Sequence, residues 1–161
     1  MNKSLQHSLH ILERIEEMLH GIGEANYCRR HVHSFDATVG EHVRHVIEFY
    51  QLYIQSSEAQ VLDYNNRERN TVLETNPNAA IAAITKIREN LTELVETKGD
   101  GDISVISDSG AVCSSSRARE LEFLGGHTIH HNAIIVSMCE SMSVSVDSEM
   151  AFAPSTLANA N

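Results

Sequence analysis

Tryptophan is absent from this chain of 161 residues, and aromatic side chains make up only 5% of it. A β-sandwich leans on such rings, whereas the plentiful Leu, Ile, Val, Ala and Met suit helices packed on helices. Basic residues are also few. The 12 Lys and Arg against 22 Asp and Glu leave a formal charge of −10, which repels a phosphate backbone, so no nucleic-acid partner is expected. Cysteine occurs only at Cys28, Cys113 and Cys139, with no CxxC pair, which argues against a disulfide framework or a thiolate zinc site and fits a reducing cytosol. Nowhere do about eighteen apolar residues run together, and Met1 to His10 contain one Lys and no apolar core, so neither a membrane span nor secretion is expected. The expected location is cytoplasmic.

What is present is a hydrophobic share of 42%, enough for one core in a single domain over residues 1–161. Leu5, Ile11, Ile15, Met18 and Ile22 place a first helix at about 2–20, ended by Gly21 and Gly23 and followed by a polar crossover over 24–36. Thr38 and Glu41 form a T-x-x-E capping box that starts a second helix running to about Ala59. Val39, His42, Val46, Phe49 and Tyr53 share its apolar face, with His45 beside them. The stretch 63–70, DYNNRERN, reads as a charged connection. Asn76 before Pro77 opens a third helix whose seam is Ala80, Ile84, Ile87, Leu91 and Leu94, as far as Lys98 and Gly99. Helical periodicity then lapses until Ser115, where two β-prone runs flank Asp108-Ser109-Gly110, the pattern of a short β-hairpin. Ser116 caps a fourth helix to about Ser141, and the tail 142–161 keeps enough apolar residues to lie along the bundle.

The chemistry sits in the fourth helix. Leu124, His127, His131, Ile134 and Met138 recur at spacings of three and four, so two imidazoles lie on an apolar stripe. Burying an imidazole is costly unless both ring nitrogens find partners, and residues four apart stand about 40° apart around the axis and about 6 Å along it, within reach of one ion. His42 and His45 offer a further ligand from the second helix; at this level either serves. The interior glycines Gly125 and Gly126 point to close packing or ligand access beside His127. His130 falls on the rim, and His7, His10, His20, His31 and His33 read as surface residues. Glu41, Glu48 and Glu120 are candidates to orient the imidazoles, and Arg67 and Arg69 to hold an anionic substrate. Cys139 lies too far along the helix from His131 to be a ligand.

The runs GEHVRHVIEFY at 40–50, HTIHH at 127–131 after RELEFL, and FAPSTL at 152–157 together resemble the DinB/YfiT-like family over nearly the whole chain. The resemblance implies an all-α four-helix bundle with up-down-down-up topology and a long connection before the last helix. It also implies a divalent metal on His45, His127 and His131, with His42 as the fallback for His45, and frequent homodimers. Where family members often follow the last histidine with RGQ, this chain has Asn132, Ala133 and Ile134. The activities implied are metal-dependent hydrolysis or thiol transfer on a small molecule, with bound water or thiolate as the nucleophile. Imidazole suits Zn, Ni and Fe alike, so the metal is not chosen by the sequence. The rival reading is a non-catalytic interaction module in which the histidines hydrogen-bond one another without metal.

Overall fold

Leu5, Ile11, Leu12, Ile15, Met18 and Ile22 recur at helical spacing and bury one side of α1 (Lys3–Ile22). The computed structural model describes residues 3–32, 34, 36–107 and 109–159. The expected helix start at Asn2, the surface assignment of His33 and the place of Asp108 in a turn lie outside the described residues. The crossover expected to be polar contains the single turn α2 (Glu24–Tyr27), which puts Tyr27 wholly inside the core, its hydroxyl donating to Leu73 O at 2.5 Å.

Helix α3 (Val39–Ala59) opens on the capping box: Glu41 N donates to Thr38 Oγ1 at 3.0 Å and Thr38 N to a Glu41 carboxylate oxygen at 2.7 Å. After the short α4 (Thr71–Thr75), the Asn76 side chain accepts from Asn78 N and Ala79 N and starts α5 (Pro77–Lys98). Ser116 Oγ accepts from Arg119 N at 3.2 Å at the start of α6 (Arg117–Ser141). In the tail, a 3-10 turn at Ser148–Ala151 precedes α7 (Pro154–Ala158). Met150 of that turn is buried, and its carbonyl accepts from Asn132 Nδ2 at 3.2 Å.

The three strands β1 (Val61–Asp63), β2 (Asp102–Ile106) and β3 (Val112–Ser116) form one sheet in the order β1-β2-β3. The hairpin is antiparallel, with Asp102 opposite Ser116 and Ile106 opposite Val112. Strand β1 pairs in parallel with β2 and was not legible as a strand, because three residues are too few for a period of two to register.

The sheet also fixes helix direction. Helices α3 and α5 each run into a strand of the parallel pair, while α6 leaves from β3, so α3 and α5 run one way and α6 the other. Helix α1 runs with α6, since His7 lies against Gly125 while Arg14 pairs with Asp147 beyond the end of α6. Each of α1 and α3 packs on both α5 and α6, which makes the up-down-down-up four-helix bundle. Among the described residues no helix is long and apolar enough to cross a membrane.

Candidate metal centre

Because α3 and α6 pack antiparallel, ascending positions on one meet descending positions on the other. His42 faces His131, His45 faces His127, and further along the Tyr53 hydroxyl donates to Arg117 O. His45, His127 and His131 each contribute one ring nitrogen to a group whose members all lie within 4.8 Å of one another. His127 Nε2 stands 3.3 Å from His45 Nε2 and 3.1 Å from His131 Nε2. A ring nitrogen carries either one hydrogen or one in-plane lone pair, so it cannot make two well-directed hydrogen bonds at once. Two nitrogens bonded to the same tetrahedral zinc at about 2.0–2.1 Å are about 3.3 Å apart, so the two spacings at His127 Nε2 suit a shared cation better than a pair of hydrogen bonds to that one nitrogen.

All three imidazoles are half-buried. Burial, the largest cause in each, lowers them from the usual 6.5 to about 3 for His45, about 4 for His127 and about 2 for His131. Next in order come Arg67 and then His127 for His45, His130 and then Arg67 for His127, and the other cluster histidines for His131. The rings are therefore neutral at physiological pH, the form that donates a lone pair to a metal. A group with a depressed native pKa binds fewer protons folded than unfolded, so its contribution to stability is present above pH 6.5 and is lost as pH falls toward the native values. Thermal melts of chelator-treated protein should show the melting temperature declining steadily below pH 6.5, with a shallower decline in His131→Gln. Equal slopes in the two proteins would contradict the assignment.

The stripe read from the sequence runs along the edge of the buried face and not down its middle. The most buried positions of α6 include Leu121, Leu124, Thr128, Asn132 and Ile135, and the polar members are accommodated because Thr128 donates to Leu124 O at 2.7 Å and Asn132 to the tail. His127 and His131 are thereby left beside the core, where the walls are aromatic. Phe49 lies 4.5 Å from the His45 ring and 4.3 Å from that of His127, Tyr64 stacks on Phe49 at 4.8 Å, and Phe123 lies parallel to His127 at 5.7 Å. Sequence reading placed Phe49 in the core and overlooked Phe123 and Tyr64. The spacing of four between Phe123 and His127 was the available signal; Tyr64, in a loop, gave none.

The candidate carboxylates act elsewhere. Glu41 completes its capping box, Glu48 accepts from Asn70 N at 2.8 Å, and Glu120 accepts from Ser115 Oγ at 2.6 Å and Tyr64 OH at 3.1 Å. Backbone donors and hydroxyls bond each carboxylate, Glu48 through Oε1 alone with Oε2 buried and unpartnered among the described residues. The neighbours of the cluster are instead His42, whose Nδ1 is 3.0 Å from His131 Nδ1, and Arg67, which lies against His45 Nδ1 with its guanidinium 5.2 Å from the Phe49 ring centre. His42 thus stands behind His131 and outside the group of three. Arg67 has only donors, and a His45 ring that gives Nε2 to a cation carries its hydrogen on Nδ1, so Arg67 must withdraw when an ion binds. Arg69 is exposed, as are His10, His20 and His130, whereas His7 and His31 are half-buried, His7 against Gly125 and His31 against Ser141 Oγ. The close packing anticipated at the paired glycines belongs to Gly125; Gly126 faces open space.

The family model described as the DinB superfamily matches residues 10–135. A curated relative, FK506-binding protein 5 of Rhizopus delemar, is 35% identical over 103 residues, 60% of this chain. The chain spans only 27% of that relative's length. Among solved structures, YfiT from Bacillus subtilis superposes with a TM-score of 0.69 over 89% of this chain and 87% of its own, at 13% identity. It is described as a probable metal-dependent hydrolase with an unusual four-helix bundle topology. At that identity the likeness is one of fold.

Proposed function

The chain belongs to the DinB superfamily, and on that premise we propose that it holds a divalent metal ion on His45, His127 and His131 and hydrolyses a small molecule in the cytoplasm. The observation that carries the reading is the single nitrogen, His127 Nε2, set within 3.3 Å of two other ring nitrogens. Three neutral imidazoles from two antiparallel helices form the donor set of a catalytic site, which keeps a position for water or substrate. When bound, the ion supplies Lewis acidity and brings the pKa of its water down to about 7.

The chain's own residues do the rest. Helix α6 fixes the separation of two imidazoles, and α3 brings the third across the bundle. Phe49 and Phe123 pack their rings against that of His127, at 4.3 and 5.7 Å between centres. Arg67, displaced from His45, becomes a cation beside the cluster for an anionic part of the substrate. None of the three cysteines belongs to the group, so thiol transfer at this site would draw its thiol from a cosubstrate.

The test is turnover by untagged protein, stripped with chelator and reloaded with Zn, Ni or Fe(II), on a panel of small esters and amides and on a low-molecular-weight thiol with an electrophile. Ion-dependent hydrolysis that chelator abolishes is expected. Ion-dependent thiol consumption without hydrolysis would move the assignment to thiol transfer, and no turnover on any arm would reduce the site to binding alone.

A further inference from the structure

His131 is unusual within the cluster because both of its ring nitrogens meet other imidazoles. Nε2 stands 3.1 Å from His127 Nε2, and Nδ1 stands 3.0 Å from His42 Nδ1. A neutral imidazole has one N–H and one lone pair. If His131 offers the Nε2 lone pair to a cation shared with His127, its hydrogen is on Nδ1, and the group facing Nδ1 has to accept it. That group is His42, whose own hydrogen is then confined to Nε2. His42 Nε2 is buried and meets no hydrogen-bond partner among the described residues, so no other contact competes to set the His42 tautomer. His42 is also held firmly: it is only 9% exposed, sits in the first turn after the Thr38 cap, and packs its ring 5.2 Å from that of His131.

We propose that His42 is a positioning residue for the metal centre. By accepting the His131 Nδ1 hydrogen it selects the tautomer and ring rotation in which His131 presents Nε2 to the ion. In other metal sites a carboxylate or backbone carbonyl fills this place, and losing such a partner costs about 10–100-fold in affinity. Here the bonds that Glu41, Glu48 and Glu120 make among the described residues run to backbone donors and hydroxyls outside the cluster, and a fourth histidine does the accepting. The inference rests on the metal reading above, and the experiment separates the two.

Zinc affinity of the full untagged chain is measured by competition with a chromogenic chelator, for the wild type, His42→Leu and His42→Gln, alongside melting of the ion-free proteins. Leucine fills much of the volume and cannot accept; glutamine supplies an amide oxygen. His42→Leu should bind zinc about 10–100-fold more weakly, with ion-free melting close to wild type, and His42→Gln should recover to within a few-fold. A purely structural role would move the melting temperature and would show no such rescue. Ring-nitrogen NMR of the zinc-loaded wild type should find His131 protonated on Nδ1 and His42 on Nε2. It also decides the matter if His42→Leu does not fold. Wild-type zinc affinity in His42→Leu, no rescue by glutamine, or His131 protonated on Nε2 overturns the role of His42 while leaving the metal reading intact. No zinc binding by the wild type overturns both.

Discussion

Replacing His127 with alanine is expected to abolish the ion-dependent rise in melting temperature predicted for the unaltered protein. A ligand that binds only the native state stabilises it by about 2.7 kcal/mol at a hundredfold excess over Kd, and for a domain of this size each kcal/mol is worth about 2–4 °C. Stripped wild-type protein given such an excess of Zn, Ni or Fe(II) should therefore melt about 5–10 °C higher. His127 is the residue to remove because its Nε2 is the atom that both His45 and His131 approach. Loss of an outer partner costs about 10–100-fold in affinity, so loss of a ligand should cost more than about 100-fold and leave no measurable shift at the same ion concentration. The ring is half-buried and makes no backbone hydrogen bond among the described residues, so the ion-free variant should melt within a few degrees of wild type. A variant that keeps the full ion-induced rise would show that the ion binds elsewhere.

The second large effect concerns the scaffold. Gly40→Ala should lower the melting temperature by about 6–12 °C, because a Cβ there would lie 2.0 Å from the backbone oxygen of Glu74 and 2.8 Å from Tyr27 Cε1. Overpacking costs about 1–3 kcal/mol when side chains can shift, and more when they cannot. Here the obstacle is the backbone of α4, fixed by the Tyr27 hydroxyl on Leu73 O and by the ion pair of Arg44 with Glu74 at 2.8 Å. Any relief pushes the start of α3 outward, and that segment carries His42 and His45, so zinc affinity should fall together with stability. Gly126→Ala is the control: its Cβ would meet nothing within 4 Å, and alanine favours a helix interior by about 1 kcal/mol, so this variant should melt slightly higher. Calorimetry on the three proteins checks both signs. Wild-type melting by Gly40→Ala would mean that α3 and α4 are not in contact as described.

These two glycines mark the boundary of what the sequence discloses. Gly40 is followed directly by Glu41 and then by the histidines, and nothing in that order says that a carbonyl 34 residues later will press against its α-carbon. The long helices were legible because their causes are local: the Thr38 and Asn76 caps, the seam of α5, and the hairpin of β2 and β3 are all written within a few residues of where they act. The pairing of His127 with His131 is local in the same sense, and the resemblance to a known family singled out His45 over His42. What escaped depends on distant chain. Tyr27 is buried by the α4 backbone, β1 exists because β2 lies beside it, and Arg67 reaches back to His45 from 22 positions further along the chain. The choice among the candidate carboxylates stayed open for a related reason: spacing along a helix gives the direction of Glu120 but not the hydroxyls of Ser115 and Tyr64 that bond it.

A crystal structure of zinc-loaded, untagged protein with data at the zinc absorption edge tests the central claim most directly. One anomalous peak should lie about 2.0–2.1 Å from a ring nitrogen of each of His45, His127 and His131, with Arg67 withdrawn from His45. A peak on other residues, or none while the three imidazoles keep their mutual contacts, would contradict it.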